Sequence, residues 1–521
     1  MQSKLAQWSL EDPNRRFDRL LRLITNRDWL QEAAGRTLES SGAHTPGLDG
    51  VTKVRWEAYA AEELERLRVA LLDDTYRPQP ARRVYIPKPN GKQRPLGIPC
   101  LRDRIVQRAM LMAMDPIWES DFLGMSYGFR RGRSVHHAVR AVKLALTDTV
   151  QGTAGRWVIE GDLASYFDTV HHRLLMKAVK RRIGDPRFLR LLWRMLKGGL
   201  VDHGLFRATH EGVPQGGVLS PLLSNIMLHE FDQWMERHYC GTKAKRDRWQ
   251  WNDGIARGRP IALREQRLWR PAVSYYRYAD DFIVVVKGNR SHAEQVRLAC
   301  RDFLEETLKL TLNMDKTIIT HVDDGFTFLG HRIIRKRGPT GRKRPVTTIP
   351  RDRYQRLAHR LTVQLSTDYA ANRIDLVEHL NAQLTGWANF YQYTDYTSQV
   401  YTHIDQVVFW KLAHWMAHKF QTRAALQLRR HVRAPEPGQA KTWVLAGRGS
   451  DGRWRRVVLR RLVSSHKGQF RWHNPPRNPY VQSEIPLPPL LTSQYRDVAF
   501  ALGACPFIVP LLHNYASRKE R

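Results

Sequence analysis

The chain has 521 residues, room for roughly three domains at about 150 residues each, and its 42% hydrophobic content with 16 tryptophans supplies packed cores. Lysine and arginine number 85 against 50 aspartates and glutamates, a net charge of +35 that repels itself unless a polyanion answers it. The four cysteines lie far apart with no CxxC pair, which excludes a zinc ribbon or a disulfide framework and fits a reducing cytoplasm.

In chain order, residues 1–12 lack the apolar segment of a secretion signal. Residues 10–75 read mainly as helix, broken by a Gly/Pro/Thr-rich loop at 40–49. A hairpin follows, with Arg82 to Lys88 and Gln93 to Pro99 flanking Pro89-Asn90-Gly91, since Asn-Gly is a favoured tight-turn pair. Helices are expected over about 101–118 and 135–147, and a short apolar strand over 157–162 ends on Asp162. One helical stretch is expected over 173–197, then a Gly/Pro/Gln loop at 212–217 opens an apolar helix over 219–234. Residues 236–270 form a basic, Trp- and Arg-rich insertion, whose segments at 245–251 and 264–269 suit phosphates and exposed bases together.

Strands over about 273–277 and 282–286 bracket Tyr278-Ala279-Asp280-Asp281. A helix at 291–309 and short strands near 316–320 and 326–334 complete this block. Beyond a basic turn at 335–344 the chain reads as all-helical, with Ile374, Val377, Leu380, Leu384, Trp387 and Tyr391 at helical spacing. The last hundred or so residues mix short strands with Pro-rich links, and the longest apolar stretch, 500–512, is broken by Pro506 and Pro510 and too short for a bilayer.

Paired aspartates mean little alone, and those at 73–74 and 323–324 read as solvated loops. Asp280 and Asp281 differ because apolar strands pin them on both sides. Neighbouring strand residues point to opposite faces, but a tight turn can aim both carboxylates at one place. Carboxylates so crowded repel one another, and a divalent cation relieves them. Asp162 ends a second apolar strand and makes a third acid. Taken alone it is equally a helix N-cap for a turn starting at Ala164 and Ser165.

Tyr278-Ala279-Asp280-Asp281 resembles the YxDD box of reverse transcriptases, and six other blocks stand in the family's order. They are Arg94 to Pro99, Tyr127-Gly128-Phe129-Arg130 with Arg133-Ser134, Asp162 to Asp168, Gly212 to Pro221, Leu312 to Thr317, and Phe328-Leu329-Gly330. The resemblance is nearest to bacterial group II intron-encoded reverse transcriptases, which also act as splicing maturases. Glu11 to Phe17 and Gly47 to Gly50 are similar to their N-terminal extension. Leu384 to Tyr391 resembles their maturase domain, and Arg471-Trp472 with Asn478-Pro479-Tyr480 resembles their DNA-binding domain.

This resemblance implies an α+β right-hand polymerase. Its fingers and palm, an antiparallel sheet plus helices at 76–340, would follow an extension at 1–75 and precede an α-helical thumb at 341–422 and a small basic DNA-binding domain at 423–521. It implies RNA-directed DNA synthesis on two Mg2+ ions, with Mn2+ an alternative, held by Asp162, Asp280, Asp281 and the backbone of Leu163. Lys316 would be the general acid for pyrophosphate. Lys88, Arg94, Phe167, Gln215 and Ala279 would line the nucleotide, with the Phe167 ring excluding a 2′-hydroxyl. Arg130 and Arg133 would meet nucleic acid.

The expected partners are intron RNA, target DNA with a primer, and dNTPs, with no membrane. Paired CxxC motifs of an HNH endonuclease are missing, and His466 and His473 stand isolated, so bottom-strand cleavage is not expected. Two other readings remain: a domesticated enzyme of phage defence or CRISPR adaptation, and an RNA-binding splicing cofactor without polymerase activity.

Overall fold

The computed structural model describes residues 1–87, 91, 93–147, 156–244, 271–338, 341, 343–465 and 478–481. Lys88, Asn90, the basic segments at 245–251 and 264–269, Arg471, Trp472, His466 and His473 fall outside them. The chain forms two compact units, one of residues 1–145, 149–320 and 474 onward, the other of 146–148 and 321–473. The expected boundaries at 340 and 422 do not coincide with the edges of these units.

The first unit is built around the helix Leu101–Asp121, which is wrapped on nearly every side and fully buries Ile105, Val106, Ala109, Met110, Ala113, Met114 and Ile117. Pro116 lies inside this helix and cannot donate to the carbonyl four residues back. Gln2 Nε2 from the N-terminal helix Gln2–Glu11 replaces that bond, donating to Met112 O at 2.8 Å. The helices Leu20–Ile24 and Arg27–Leu38 complete the wrapping.

Two four-stranded sheets flank this core. One runs Gln93–Ile98, Ala81–Pro87, Leu200–Asp202, Leu205–Arg207, and its hairpin pairs Arg82 with Ile98 through Pro87 with Gln93. The other runs Ala272–Tyr278, Asp281–Lys287, Arg156–Gly161, Ile318–His321. Its two central strands are β-branched and buried, with Val158, Val284, Val285 and Val286 at 0% exposure, so this sheet is a rigid base. The helices Ser220–Met235 and Arg290–Leu308 share its core, the latter started by Asn289 in a capping box with His292.

The single helix expected over 173–197 is two, His172–Lys180 and Pro186–Leu196. Gly184-Asp185-Pro186 breaks it. Proline is favoured in a first helical turn, where its missing N–H costs nothing, and Asp185 Oδ1 caps that turn by accepting from the amides of Arg187 and Phe188, both at 3.0 Å.

The second unit corrects another expectation. The basic turn at 335–344 joins two strands, His331–Arg337 and Lys343–Thr348, so the chain is not yet helical there. Helices Arg351–Thr367, Arg373–Tyr391 and Ser398–Lys419 follow. Their inward residues recur at three- and four-residue spacing, as at Leu357, Leu361 and Leu365 or Ile374, Val377, Leu380 and Leu384. The strands Thr442–Arg448 and Trp454–Val458 insert Trp443, Leu445 and Val457 into the same core, so residues up to Leu462 pack with the helices rather than apart from them.

Trp443 is fully buried and its Nε1 donates to Phe409 O at 3.3 Å. Trp443→Ala is expected to cost about 3–5 kcal/mol, checked as a lowered denaturant midpoint for the full chain.

Candidate active site

The strand ends deliver the acids. Gly161 pairs with Phe282, so Asp162 and Asp281, one residue further on each strand, leave the sheet at the same end. After Asp162 the chain is tied down: Asn313 N donates to Asp162 O at 2.9 Å, Ala164 N donates to Thr311 O at 3.0 Å, and Leu163 bridges Leu312. Leu163 buries its side chain, so anything it offers a ligand comes from its backbone.

The turn between the hairpin strands is Ala279-Asp280, with Tyr278 paired to Asp281. Ala279 has φ +57°, a left-handed conformation that costs a non-glycine residue about 1–2 kcal/mol. Two contacts impose it. Arg277 Nη1 donates to Ala279 O at 2.9 Å, and Gly128 lies so close beneath that an added Cβ would stand 2.2 Å from Ala279 N.

Under the turn is a buried polar network. Arg277 and Asp232 are both at 0% side-chain exposure, with Nη2 to Oδ2 at 2.5 Å and Nε to Oδ1 at 2.8 Å. Tyr275 Oη donates to Asp232 Oδ1 at 2.8 Å. Arg277 also donates to Asn225 Oδ1 and Ser126 Oγ, each at 2.9 Å, and Asn225 Nδ2 donates to Gly128 O at 2.9 Å. Burial works against the Arg277 charge, but the Asp232 carboxylate outweighs it and the guanidinium holds its proton more tightly than usual. Five acceptor oxygens, two of them on the paired acid, satisfy the group, without which a buried charge is costly.

The three acids feel one another. Partial burial raises Asp280 and the Asp162 charge adds to it, with Arg94 and Arg277 opposing. Asp281 is pushed up to about 6, first by burial and then by Asp280 and Asp162, while Lys316 opposes. Asp281 keeps a solvent-facing edge, but the protein massed around the turn still limits its hydration.

Lys316 Nζ sits 3.0 Å from Asp162 Oδ2, an ammonium on the acid group where a metal cation is expected. Among the described residues no group of three or more Asp, Glu, His or Cys side chains is arranged as a metal site. Asp162, Asp280 and Asp281 bring hard oxygen donors to one end of the sheet, a chemistry that suits a hard cation keeping waters and phosphate oxygens as further ligands. The other Asp-Asp pairs are not simple solvated loops, because Asp74 accepts from Arg194 at 2.6 Å, and Asp323 from Arg335 at 2.7 Å and Lys343 at 2.6 Å.

Beside the acids lies a candidate nucleotide pocket. Phe167 is half-buried in the turn Tyr166–Thr169, edge-on to Tyr166 with ring centroids 5.5 Å apart. The glutamine loop is bound to that turn through Val213 N donating to Phe167 O at 2.7 Å, and Gly212, φ +88°, has no room for a Cβ, which would meet Asp168 O at 2.8 Å. Gln215 O accepts from Gly97 N at 2.7 Å, which joins the loop to the hairpin strand carrying Arg94. Arg94 is exposed, and its charge reaches Asp280. Phe167, Gln215, Arg94, Ala279 and the three acids thus belong to one connected set of loops.

Arg130 is a correction. It is buried in a pair with Glu119 at 2.7 Å and spends its other donors on the carbonyls of Leu123 (2.6 Å), Ser126 (2.8 Å) and Phe122 (3.3 Å), so it has nothing left for nucleic acid. Arg133 is half-buried, donates to Gly124 O at 2.8 Å and Ser126 O at 3.1 Å, and has its pKa lowered to about 10 by burial and by Arg130. Both fasten the 122–130 loop, which runs beside Arg277 (Tyr127 N donates to Arg277 O at 2.8 Å) and braces the catalytic turn. Arg277 and Asp232 escaped the sequence analysis. Their signal was parity: Val273, Tyr275 and Arg277 share the buried face of one strand, where a cation demands a buried acid.

Comparison with known proteins agrees with this geometry. Residues 86–333 match the reverse transcriptase (RNA-dependent DNA polymerase) family, and residues 355–433 match the group II intron maturase-specific domain. The chain is 64% identical to Protein YkfC of Escherichia coli (strain K12) over 365 residues, 70% of this chain and 96% of that one. It is 31% identical to the group II intron-encoded protein LtrA of Lactococcus lactis subsp. cremoris over 368 residues, 65% of this chain and 60% of LtrA. A truncated apo telomerase from Candida tropicalis gives a TM-score of 0.35 at 13% identity, covering 54% of this chain and 59% of that one.

The α+β fold and its acid-bearing hairpin are those of an RNA-directed DNA polymerase. Within that class, the chain belongs to the group II intron-encoded reverse transcriptase/maturase family.

Arg277→Met leaves Asp232 buried and unpaired and is expected to cost about 3–5 kcal/mol, read as a lower denaturation midpoint. Gly128→Ala is expected to displace the Ala279 turn and slow primer extension about a hundredfold, with a smaller loss of stability than Arg277→Met.

Proposed function

We propose that this enzyme copies the RNA of a host group II intron into cDNA by two-metal-ion nucleotidyl transfer and assists the splicing and mobility of that intron. The observation that carries this reading is the meeting of Asp162, Asp280 and Asp281 at one end of a buried sheet, with Lys316 lying on Asp162 in place of a cation. Bound Mg2+, or Mn2+ in its stead, would supply Lewis-acid activation of the primer 3′-hydroxyl and charge neutralisation at the departing pyrophosphate. The three carboxylates and the Leu163 carbonyl would hold the ions.

Lys316 would leave Asp162 when the ions arrive and be free to hand a proton to pyrophosphate. Arg94 and Lys88 would offset charge on the triphosphate. The Phe167 ring would lie under the incoming sugar, leaving no space for a 2′-hydroxyl, while Gln215 and Ala279 shape the rest of the dNTP pocket. We assign residues 1–75 as the N-terminal extension, 76–340 as fingers and palm, 341–422 as thumb, and 423–521 as the segment that meets target DNA and its primer. No described helix is long and apolar enough to cross a membrane, and we place the enzyme in the cytoplasm. Survival of all three acids favours this reading over an inactive splicing cofactor.

Asp280→Asn is expected to lower Mg2+-dependent primer extension on an RNA template about a thousandfold, and extension equal to wild type would refute the metal assignment. Phe167→Val is expected to lower discrimination against ribonucleotides about 10- to 100-fold, measured as the ratio of kcat/KM for dNTP over rNTP.

A further inference from the structure

We infer that a groove between the helices His172–Lys180 and Pro186–Leu196 docks a structured segment of RNA outside the template-primer path. This rests on the reading that the enzyme's partner is a folded intron RNA. The groove has a volume of about 610 Å³, and none of its lining residues is acidic. Arg173, Lys177 and Lys180 stand on one edge at i, i+4 and i+7, one exposed face of a helix. They span about 10 Å along its axis at 1.5 Å per residue. Arg190 stands on the opposite helix.

The charge is not spent within the protein. Arg173, Lys177 and Lys180 have no ion-pair partner among the described residues. Arg190 has only a loose one, Asp74 at 3.7 Å. Elsewhere on the same helix the cations are spent: Arg194 holds Asp74 at 2.6 Å, and Arg187 donates to Leu72 O. Cations with available partners pair, whereas those lining the groove stand exposed to solvent with only counterions to balance them. A polyanion that neutralises them releases those counterions, which favours its binding.

The floor separates RNA from a merely acidic protein. Met176, Leu189 and Trp193 line it, and Trp193 is 37% exposed. An indole next to four cations suits an unpaired base on its ring and phosphates on the rim, the pairing by which folded RNA loops are held. The groove also has a physical link to the reaction centre. His172 Nε2 lies 2.6 Å from Gly212 O in the glutamine loop, and its ring meets Trp193 edge-on at 6.1 Å.

The test compares the full-length wild type with Arg173→Gln/Lys177→Gln/Lys180→Gln. Binding of a fluorescent RNA stem-loop is followed across a KCl series, alongside primer extension on a short pre-annealed RNA template. The expected result is at least about tenfold weaker stem-loop binding and a salt slope smaller by about two to three, since each lost phosphate contact removes somewhat less than one unit. Primer extension is expected to stay within about twofold of wild type. Trp193→Leu is expected to weaken stem-loop binding but not that of a fully paired duplex, and Lys177→Arg/Lys180→Arg, which keeps the charge, to bind as wild type.

Unchanged affinity and slope would overturn the inference. So would an equal loss of primer extension, which would put the groove on the template path, or displacement by poly-glutamate more readily than by RNA. Failure of the polymerase reading would appear separately, as extension unaffected by Asp280→Asn with stem-loop binding intact.

Discussion

The catalytic end of this molecule depends on one buried ion pair. Arg277 and Asp232, both fully shielded from water, convert a hairpin turn into a fixed platform. A guanidinium there must be satisfied on all sides, and its five donors reach into three other parts of the chain: the helix bearing Asn225 and Asp232, the loop bearing Ser126, and the turn itself. Removing Asp232 leaves an unpaired charge in the core, and removing Asn225 or Ser126 leaves a buried N–H without its acceptor. The left-handed Ala279 is therefore held by polar bonds that cannot be abandoned cheaply.

On this platform the electrostatics invert the usual preference for separating like charges. Asp280 is raised by burial and by the Asp162 charge, and Asp281 by burial and by Asp280 and Asp162, so without cations the site is under repulsion. Lys316 relieves one corner by lying on Asp162. Three carboxylates with an exposed ammonium on one of them are suited to ligands that come and go with each nucleotide. A closed cage would bind metal tightly and leave no coordination place for the phosphates of substrate.

Much of this was legible in the sequence. Strand–turn–strand punctuation around Tyr278 to Asp281, the apolar run ending at Asp162 and the Gly/Pro/Gln loop are short-range signals, and each reappears as an element of the site. What was missed depends on contacts distant in sequence. Arg130 and Arg277 are both arginines beside recognisable motifs, and nothing local says that Glu119 and Asp232 bury them. The break at Pro186 was visible as Gly-Asp-Pro but was overridden by the continuous helical pattern on either side. The strand at 343–348 was hidden because a basic hairpin looks like a loop by composition, and the units' boundary follows packing that no local pattern records.

The most direct measurement is a structure of the enzyme with an RNA template, a DNA primer, a non-hydrolysable dNTP analogue and Mn2+, located by its anomalous signal. The account predicts manganese between Asp162 and the Asp280–Asp281 turn, Lys316 displaced from Asp162 toward the phosphates, and the Arg277–Asp232 pair unchanged beneath. Manganese bound away from these carboxylates, or Lys316 still paired with Asp162 in the filled site, would contradict it.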